Sequence, residues 1–203
     1  MILEGIVTTL NVSDSLNVAP MGPEVPDMGV LERFVLRPYR SSTTYTNLKA
    51  RGEGVLHVTD DVLLLAQTAI GVIPDPFPSV RPASIVEGAI LSDACRFYEF
   101  RVIELDDRED RTLIVAETVA EGRQRDFFGF NRAKHAVLEA AILATRTAWL
   151  PVRDLLHEFR KLEVLVHKTG GTSEHAAFTL LQNYLREAAK SQGIDPDLRP
   201  SPP

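Results

Sequence analysis

The residue types best suited to bind an anion are concentrated in residues 37–48. The segment combines guanidinium, hydroxyl and amide side chains in the order Arg37-Pro38-Tyr39-Arg40-Ser41-Ser42-Thr43-Thr44-Tyr45-Thr46-Asn47-Leu48. Guanidinium groups neutralise a phosphate bidentately, and hydroxyls and backbone N–H groups satisfy its other oxygen lone pairs. If a helical turn begins near Thr44, its N-terminal N–H groups and dipole add to the site. The alternative is a polar loop whose hydroxyls bond to nearby backbone, and composition alone favours neither.

A second segment, residues 17–23, is suited to contact a flat ligand. Its sequence is Asn17-Val18-Ala19-Pro20-Met21-Gly22-Pro23. Proline and glycine favour an irregular extended conformation in which a ligand can approach the backbone closely. A heterocycle would then bind the N–H groups of Met21 and Gly22, against the soft surface of the Met21 thioether. An ordinary turn is the alternative interpretation of this segment taken alone.

A third candidate is the approach to an alanine-rich helix, residues 126–135. Asn131 is a suitable N-cap, so Arg132 and Lys134 project from the first helical turn beside three phenylalanines. One hypothesis is an anionic substrate group held over an aromatic surface. The alternative is a hydrophobic hinge with solvated cations. We favour the hinge for the phenylalanines and keep Arg132 and Lys134 as candidate substrate-binding residues.

Composition and motifs exclude several classes of protein. The single cysteine, Cys95, permits neither a disulfide within the chain nor a cysteine-ligated zinc site, and the five histidines form no His-x-x-x-His pair, so we expect no metal. Nucleophile-elbow, P-loop and dinucleotide-binding glycine motifs are missing. A net charge of −6 argues against nucleic-acid binding. The longest apolar stretch is too short to span a bilayer, and the start lacks signal-peptide features. We therefore expect a soluble, cytoplasmic protein that does not bind membranes.

The chain is organised as a β-rich part followed by helices. Alternation of apolar and polar residues predicts strands at residues 2–9, 30–36, 54–58, 95–105 and 112–119, the last two as a hairpin. Helical periodicity predicts helices at 62–69, 83–91, 131–150, 151–168 and from 172 to 193. The predicted divisions are a β-rich domain at 1–126, a three-helix module at 127–193 and a flexible proline-rich tail at 194–203.

Two of these segments resemble, in this order, flavin-reductase-like FMN-binding split barrels. The residues that carry the resemblance are Asn17-x-Ala19-Pro20 and Thr44-x-x-Asn47-Leu48 with Gly52-Glu53-x-Val55. More closely, the chain resembles an uncharacterised domain-of-unknown-function family within that superfamily. The matching blocks are Ser42-Thr43-Thr44-Tyr45-x-Asn47-Leu48, Val58-Thr59-Asp60-Asp61, Asp93-Ala94-Cys95-Arg96 and Phe128-Gly129-Phe130-Asn131-Arg132-Ala133-Lys134. Three positions differ from the reductase pattern: Gly22 replaces a frequent serine, Gly54 an aromatic residue and His57 a frequent asparagine.

The resemblance implies an α+β protein, an FMN-binding split β-barrel with a C-terminal helical module, assembled as a homodimer with FMN at or near the interface. In such proteins the first motif borders the isoalloxazine ring and the second helps to hold the phosphate. The candidate FMN-binding residues are Asn17, Ala19, Pro20, Met21, Gly22, Arg37, Ser42, Thr43, Thr44 and Asn47. The implied function is an FMN-dependent oxidoreductase acting on a small-molecule substrate or a nicotinamide nucleotide. The alternatives are a flavin carrier without turnover and an interaction protein that keeps only the fold.

Overall fold

The structure is a computed structural model, described here for residues 1–27 and 30–195. The chain divides into two compact units. One contains residues 1–60 and 75–128, and the other contains residues 61–74 and the chain from Gly129 onward. The first unit is a β-barrel with one helix, and the second is entirely helical in its regular elements.

The elements of the barrel unit are β1 (Gly5–Leu10), β2 (Leu16–Met21), β3 (Arg33–Leu36), α1 (Thr43–Arg51), β4 (Glu53–Val58), β5 (Val80–Pro82), β6 (Ala89–Leu91), β7 (Arg96–Asp106) and β8 (Leu113–Arg123). The barrel is one antiparallel sheet whose order is β2-β1-β4-β7-β8-β3, and β5 pairs with β6 in a separate two-stranded sheet. Glu24 pairs on one side with Ile2 and on the other with Val35 of β3. Because Ile2 precedes β1, these two bridges connect opposite sides of the sheet and close it.

The barrel core follows from the period of two in its strands, which sends alternate side chains to one face. The core combines buried strand residues of this face with Val25 and with Tyr45 and Leu48 of α1; the strand residues are Val7, Phe34, Leu36, Leu56, Tyr98, Phe100, Ile114 and Ala116. Phe34 and Phe100 meet edge to face, with ring centroids 5.3 Å apart. Such pairs add about 1 kcal/mol to the free energy gained by burial alone.

The segment at residues 83–91 is not the helix that its apolar spacing predicts. It contains the turn and second strand of the β5–β6 hairpin, which packs through Val86 and Ile90 on Val55 and Phe97. The carboxylate of Glu99 accepts hydrogen bonds from the Ser84 hydroxyl and from three consecutive N–H groups at residues 84–86. These bonds hold the turn, and Ala89–Leu91 pair with Val80–Pro82 as a strand instead of continuing a helix.

The segment at residues 17–23 also differs from its predicted irregular form. Most of it is β2, a regular strand in register with β1. Pro20 is compatible with this strand because β2 lies at the edge of the sheet, where a missing N–H need not break a ladder.

The helical unit contains α2 (Val62–Ala69), α3 (Arg132–Ala144), α4 (Val152–Thr169) and α5 (Thr172–Ser191). Our sequence analysis places α2 within the first domain, whereas its buried side chains pack in the core of this unit. Helix α3 ends at Ala144, since residues 145–149 form turns, and the predicted continuation to residue 150 is wrong. Most of the predicted tail, residues 196–203, lies outside the described residues. No helix in the described part of the chain is long and apolar enough to cross a bilayer.

Candidate functional site

The polar segment at residues 37–48 becomes a loop followed by α1. Ser42 is the N-cap of the helix, and its hydroxyl oxygen accepts the N–H of Tyr45 at 3.1 Å. Thr43 and Thr44 are the first two helical residues, so no acceptor within the helix is available to their N–H groups. Gly52 ends the helix with a φ of 70°. Of the two interpretations that the composition leaves open, a helix N-terminus is the one present, and Ser42, Thr43 and Thr44 all lie at it.

A hydrogen-bonded network joins this helix to the edge strand β2. The Asn17 side-chain amide donates to the hydroxyl oxygens of Thr44 and Thr9, at 3.2 Å each. The Asn47 amide donates to the same Thr9 oxygen and to Asn11 Oδ1, at 2.9 Å each. Asn17 and Thr44 are 27 residues apart in the sequence. The structure therefore brings the two predicted motifs into direct contact.

Thr9 and Asn11 are members of this network that our sequence analysis did not identify. Thr9 is fully buried and is the last residue but one of β1, and Asn11 lies in the turn between β1 and β2. The signal available in the sequence is a hydroxyl residue at each of positions 8 and 9, on opposite faces of an otherwise apolar strand. Because the two side chains point to opposite faces of β1, only one of them, Thr9, is directed towards α1.

The remaining predicted residues, on or just after β2 and β3, differ in their environments. Ala19, Pro20 and Met21 are half-buried along β2. Arg37 follows β3 and pairs through Nε with the Glu24 carboxylate at 2.6 Å. A Cβ atom at Gly22 would lie 2.9 Å from a methyl carbon of Ile2. Contact with the start of the chain thus accounts for a glycine at position 22.

The opposite side of α1 is held by a charged cluster. The hydroxyl of Tyr45 donates to Asp107 at 2.6 Å, and the Lys49 ammonium donates to the same carboxylate oxygen at 2.7 Å. Hydrogen bonding from Lys49 and Tyr45 lowers the pKa of Asp107, and Asp107 in turn raises the pKa of Lys49. Both groups are therefore ionised near neutral pH. Asp107 follows β7, so the cluster connects α1 to the β7–β8 turn.

Arg132 and Lys134 belong to the helical unit rather than to the unit that holds the network. Asn131 caps α3 by accepting two backbone N–H groups and donates to the carbonyl of Thr169 at 3.0 Å. The Lys134 ammonium forms an ion pair with Glu174 at 2.9 Å. These contacts connect the start of α3 to α4 and α5. Arg132 is exposed in the first turn of α3.

Within the described residues, no group of three or more histidine, cysteine or acidic side chains could hold a metal ion. Cys95 is buried, and burial raises the pKa of its thiol. The chemistry of the barrel site is that of hydrogen-bond donors at the start of α1: the backbone N–H groups of Thr43 and Thr44 and the hydroxyl groups of Ser42, Thr43 and Thr44. Such a set suits an anionic, oxygen-rich ligand group.

The antiparallel barrel, with the start of α1 hydrogen-bonded to its edge strand β2, has the split-barrel fold. Solved structures with this fold include the styrene monooxygenase flavin reductase of Pseudomonas putida S12, with a TM-score of 0.51 and 13% identity over 60% of this chain and 80% of that chain. The flavoredoxin of Desulfovibrio vulgaris (Miyazaki F) has a TM-score of 0.50 and 11% identity over 60% of this chain and 69% of that one. The predicted fold class is confirmed.

The chain belongs to the family of proteins of unknown function called DUF447. The model of the family's N-terminal domain matches residues 3–125, and a second model of the family matches residues 131–183. An FMN-bound protein of this family from Methanosarcina mazei has the same fold, with a TM-score of 0.74 and 24% identity over 90% of this chain and 94% of that chain. The comparison with curated proteins found no match. The predicted family resemblance is therefore confirmed.

Proposed function

We propose that this protein binds FMN, with the phosphate at the N-terminus of α1 and the isoalloxazine ring along β2. The observation that carries the proposal is the hydrogen bond from Asn17 to Thr44, which places the two motifs in one site. The FMN-bound relative from the same family supports the choice of ligand.

The donor set of the site fits a phosphate monoester. The N–H groups of Thr43 and Thr44 are available at the positive end of the α1 dipole, where anions are stabilised. Arg37 donates to Glu24 through Nε, and the N–H groups on its two terminal nitrogens take no part in that bond. A doubly charged phosphate accepts hydrogen bonds only, which is what this set of donors requires.

The edge position of β2 fits the ring of the flavin. The strand has a neighbour only on the side of β1, so the backbone N–H and C=O groups that point the other way are not paired within the sheet. A flat heterocycle with donors and acceptors along one edge matches such a backbone. Met21 adds a polarisable, half-buried side chain at the end of the strand.

We further propose an oxidoreductase that acts on a small-molecule substrate and takes electrons from a nicotinamide nucleotide. Bound FMN would supply the electron or hydride chemistry, and the residues of this chain bind and orient it. Arg132 remains the proposed contact for an anionic substrate group, because Lys134 is engaged by Glu174. A carrier without turnover and an interaction protein without flavin are the alternatives.

FMN binding is tested by comparing FMN with riboflavin, which lacks the phosphate. We expect flavin absorbance in the purified protein. Thr44→Ala and Arg37→Ala should each weaken FMN binding by about tenfold, the scale of a hydrogen bond to a charged group, and leave riboflavin binding nearly unchanged. Thr46→Ala is the matched control, since Thr46 is an exposed residue of the same helix. Equal losses for both ligands would show that the phosphate lies elsewhere.

Turnover is tested by mixing the FMN-loaded protein with NADH or NADPH without oxygen. We expect bleaching of the oxidised flavin spectrum, slowed by Arg132→Glu without release of FMN. A flavin that stays oxidised with both nucleotides would contradict the reductase proposal and favour the carrier.

A further inference from the structure

Thr9 occupies the centre of the network that joins β1, β2 and α1. Its side chain is fully buried, and its hydroxyl oxygen accepts from the amide of Asn17 at 3.2 Å and from that of Asn47 at 2.9 Å. A hydroxyl oxygen has two acceptor lone pairs, so these two bonds fill both of them. The second N–H of the Asn47 amide is held by Asn11 Oδ1.

This arrangement determines which way the hydrogen bonds run at the anion site. One N–H of the Asn17 amide is directed to Thr9, and the other is directed to the hydroxyl oxygen of Thr44. The Thr44 oxygen therefore acts as an acceptor from Asn17, and its own hydrogen is left to be donated. Thr44 is the second residue of α1, so its hydroxyl group belongs to the first turn of the helix.

We propose that Thr9 is a positioning residue that makes the site selective for a phosphate monoester. Thr9 fixes the orientation of the Asn17 amide, and the amide in turn makes the Thr44 hydroxyl a donor to the ligand. The inference rests on the proposed FMN function and extends it to a residue that contacts no ligand atom. With Thr9 in place, the Thr44 hydroxyl is held as a donor at the start of α1, and a ligand group that only accepts hydrogen bonds is favoured. Without the Thr9 hydroxyl, the Asn17 amide loses the bond that sets its orientation.

The neighbouring Thr8 provides a matched control within the same strand. It is the same residue type, it is also fully buried, and it faces the opposite side of β1. Its hydroxyl donates to the carbonyl of Ala89 at 2.7 Å, so it serves the β5–β6 hairpin and not α1. Thr8→Val and Thr9→Val therefore remove equivalent hydroxyls from strand β1, and only one of the two belongs to the network.

The experiment compares the affinities of FMN and riboflavin, by flavin fluorescence, for four proteins: wild type, Thr9→Val, Thr9→Ser and Thr8→Val. We expect Thr9→Val to reduce the preference for FMN over riboflavin by about tenfold, because a bond to a charged phosphate becomes misdirected. Thr9→Ser retains a hydroxyl and should restore the preference. Thr8→Val should leave the preference unchanged, whatever it does to stability.

Two results would overturn the inference, and they are distinguishable. If wild type binds FMN no more tightly than riboflavin, the proposed phosphate site itself is wrong. If wild type prefers FMN and Thr9→Val keeps the full preference, the site is right and the positioning role of Thr9 is wrong. Should Thr9→Val fail to fold, Thr9→Ala removes the same hydroxyl from the network. An unchanged FMN preference in Thr9→Ala overturns the inference, and a reduced one supports it.

Discussion

The buried histidine of the barrel makes a quantitative prediction about acid stability. His57 is fully buried on β4, where its Nε2 accepts the N–H of Leu91 at 3.0 Å. The other ring nitrogen, Nδ1, lies 3.2 Å from the carbonyl oxygen of Ile6 and must therefore carry the hydrogen. The ring is thus neutral and connects β1, β4 and β6. Burial lowers the pKa of His57 from its ordinary 6.5 to about 4.

The sign and size of the effect follow from this depressed pKa. The fold favours the neutral ring, so its contribution to stability is complete above pH 6.5 and is lost as the pH falls through about 4. One pKa unit corresponds to about 1.4 kcal/mol, so the loss across this window is ~3 kcal/mol. Removing the ionisable ring should remove this part of the pH dependence even if it also lowers stability at neutral pH.

Cys95 offers a built-in reporter for the measurement. It is the single cysteine of the chain, it is 1% exposed, and it lies next to β7 in the barrel unit. A pyridyl disulfide reacts with thiols in acid, so its rate of reaction with Cys95 reports barrel opening between pH 7 and 4. As the pH falls from 7 to 4, we expect the rate of reaction of Cys95 to rise steeply in wild type and less steeply in His57→Asn. His157→Gln is the control, because His157 is exposed and its removal should leave the pH dependence of the rate unchanged. The same pH dependence of the rate in wild type and in His57→Asn would refute the reasoning.

Three further predictions concern the helical unit, the barrel and assembly. Lys134→Ala should lower the free energy of unfolding by about 2 kcal/mol, because the largely buried Glu174 carboxylate loses the ammonium group that pairs with it. Urea unfolding measures this change when it is followed by the fluorescence of Trp149, the single tryptophan. Gly54→Ala should lower the free energy of unfolding, measured by thermal unfolding, by about 2 kcal/mol, because the new Cβ would lie 2.9 Å from the carbonyl oxygen of Thr8. Gly88→Ala is the control and should leave the stability unchanged, because the nearest atom to its Cβ would be 3.6 Å away. We expect a homodimer, and light scattering that returned the monomer mass of 22.5 kDa at micromolar concentration would contradict this.

The parts of the fold that depend on local sequence were predictable. The β7–β8 hairpin follows from alternating residues around a very polar turn, and α4 and α5 follow from helical periodicity bounded by proline and glycine. The start of α1 is likewise encoded locally, because Ser42 precedes it and accepts a backbone N–H three residues later.

The parts that were not predictable depend on partners far away in the sequence. The apolar residues at 83–91 have a spacing that suits a helix, and partners far away in the sequence hold the turn: Glu53 and Glu99 accept its N–H groups. The role of Thr9 depends on Asn47, 38 residues away. The grouping of α2 with the C-terminal helices depends on contacts across the intervening barrel segment, residues 75–128. Sequence patterning reports which face is apolar but not which partner covers it.

The departures from the reductase pattern have structural explanations that leave the proposed flavin site intact. Gly54 stands where similar reductases have an aromatic residue, and it pairs directly with Phe100 on β7. A Cβ at position 54 would lie 3.0 Å from Cζ of the Phe100 ring. The aromatic volume is thus supplied by the neighbouring strand, and glycine is required to admit it. At position 57, histidine uses both ring nitrogens to join β1 to β6. Both changes act on the packing and pairing of the sheet, while the Asn17–Thr44 contact at its edge is retained.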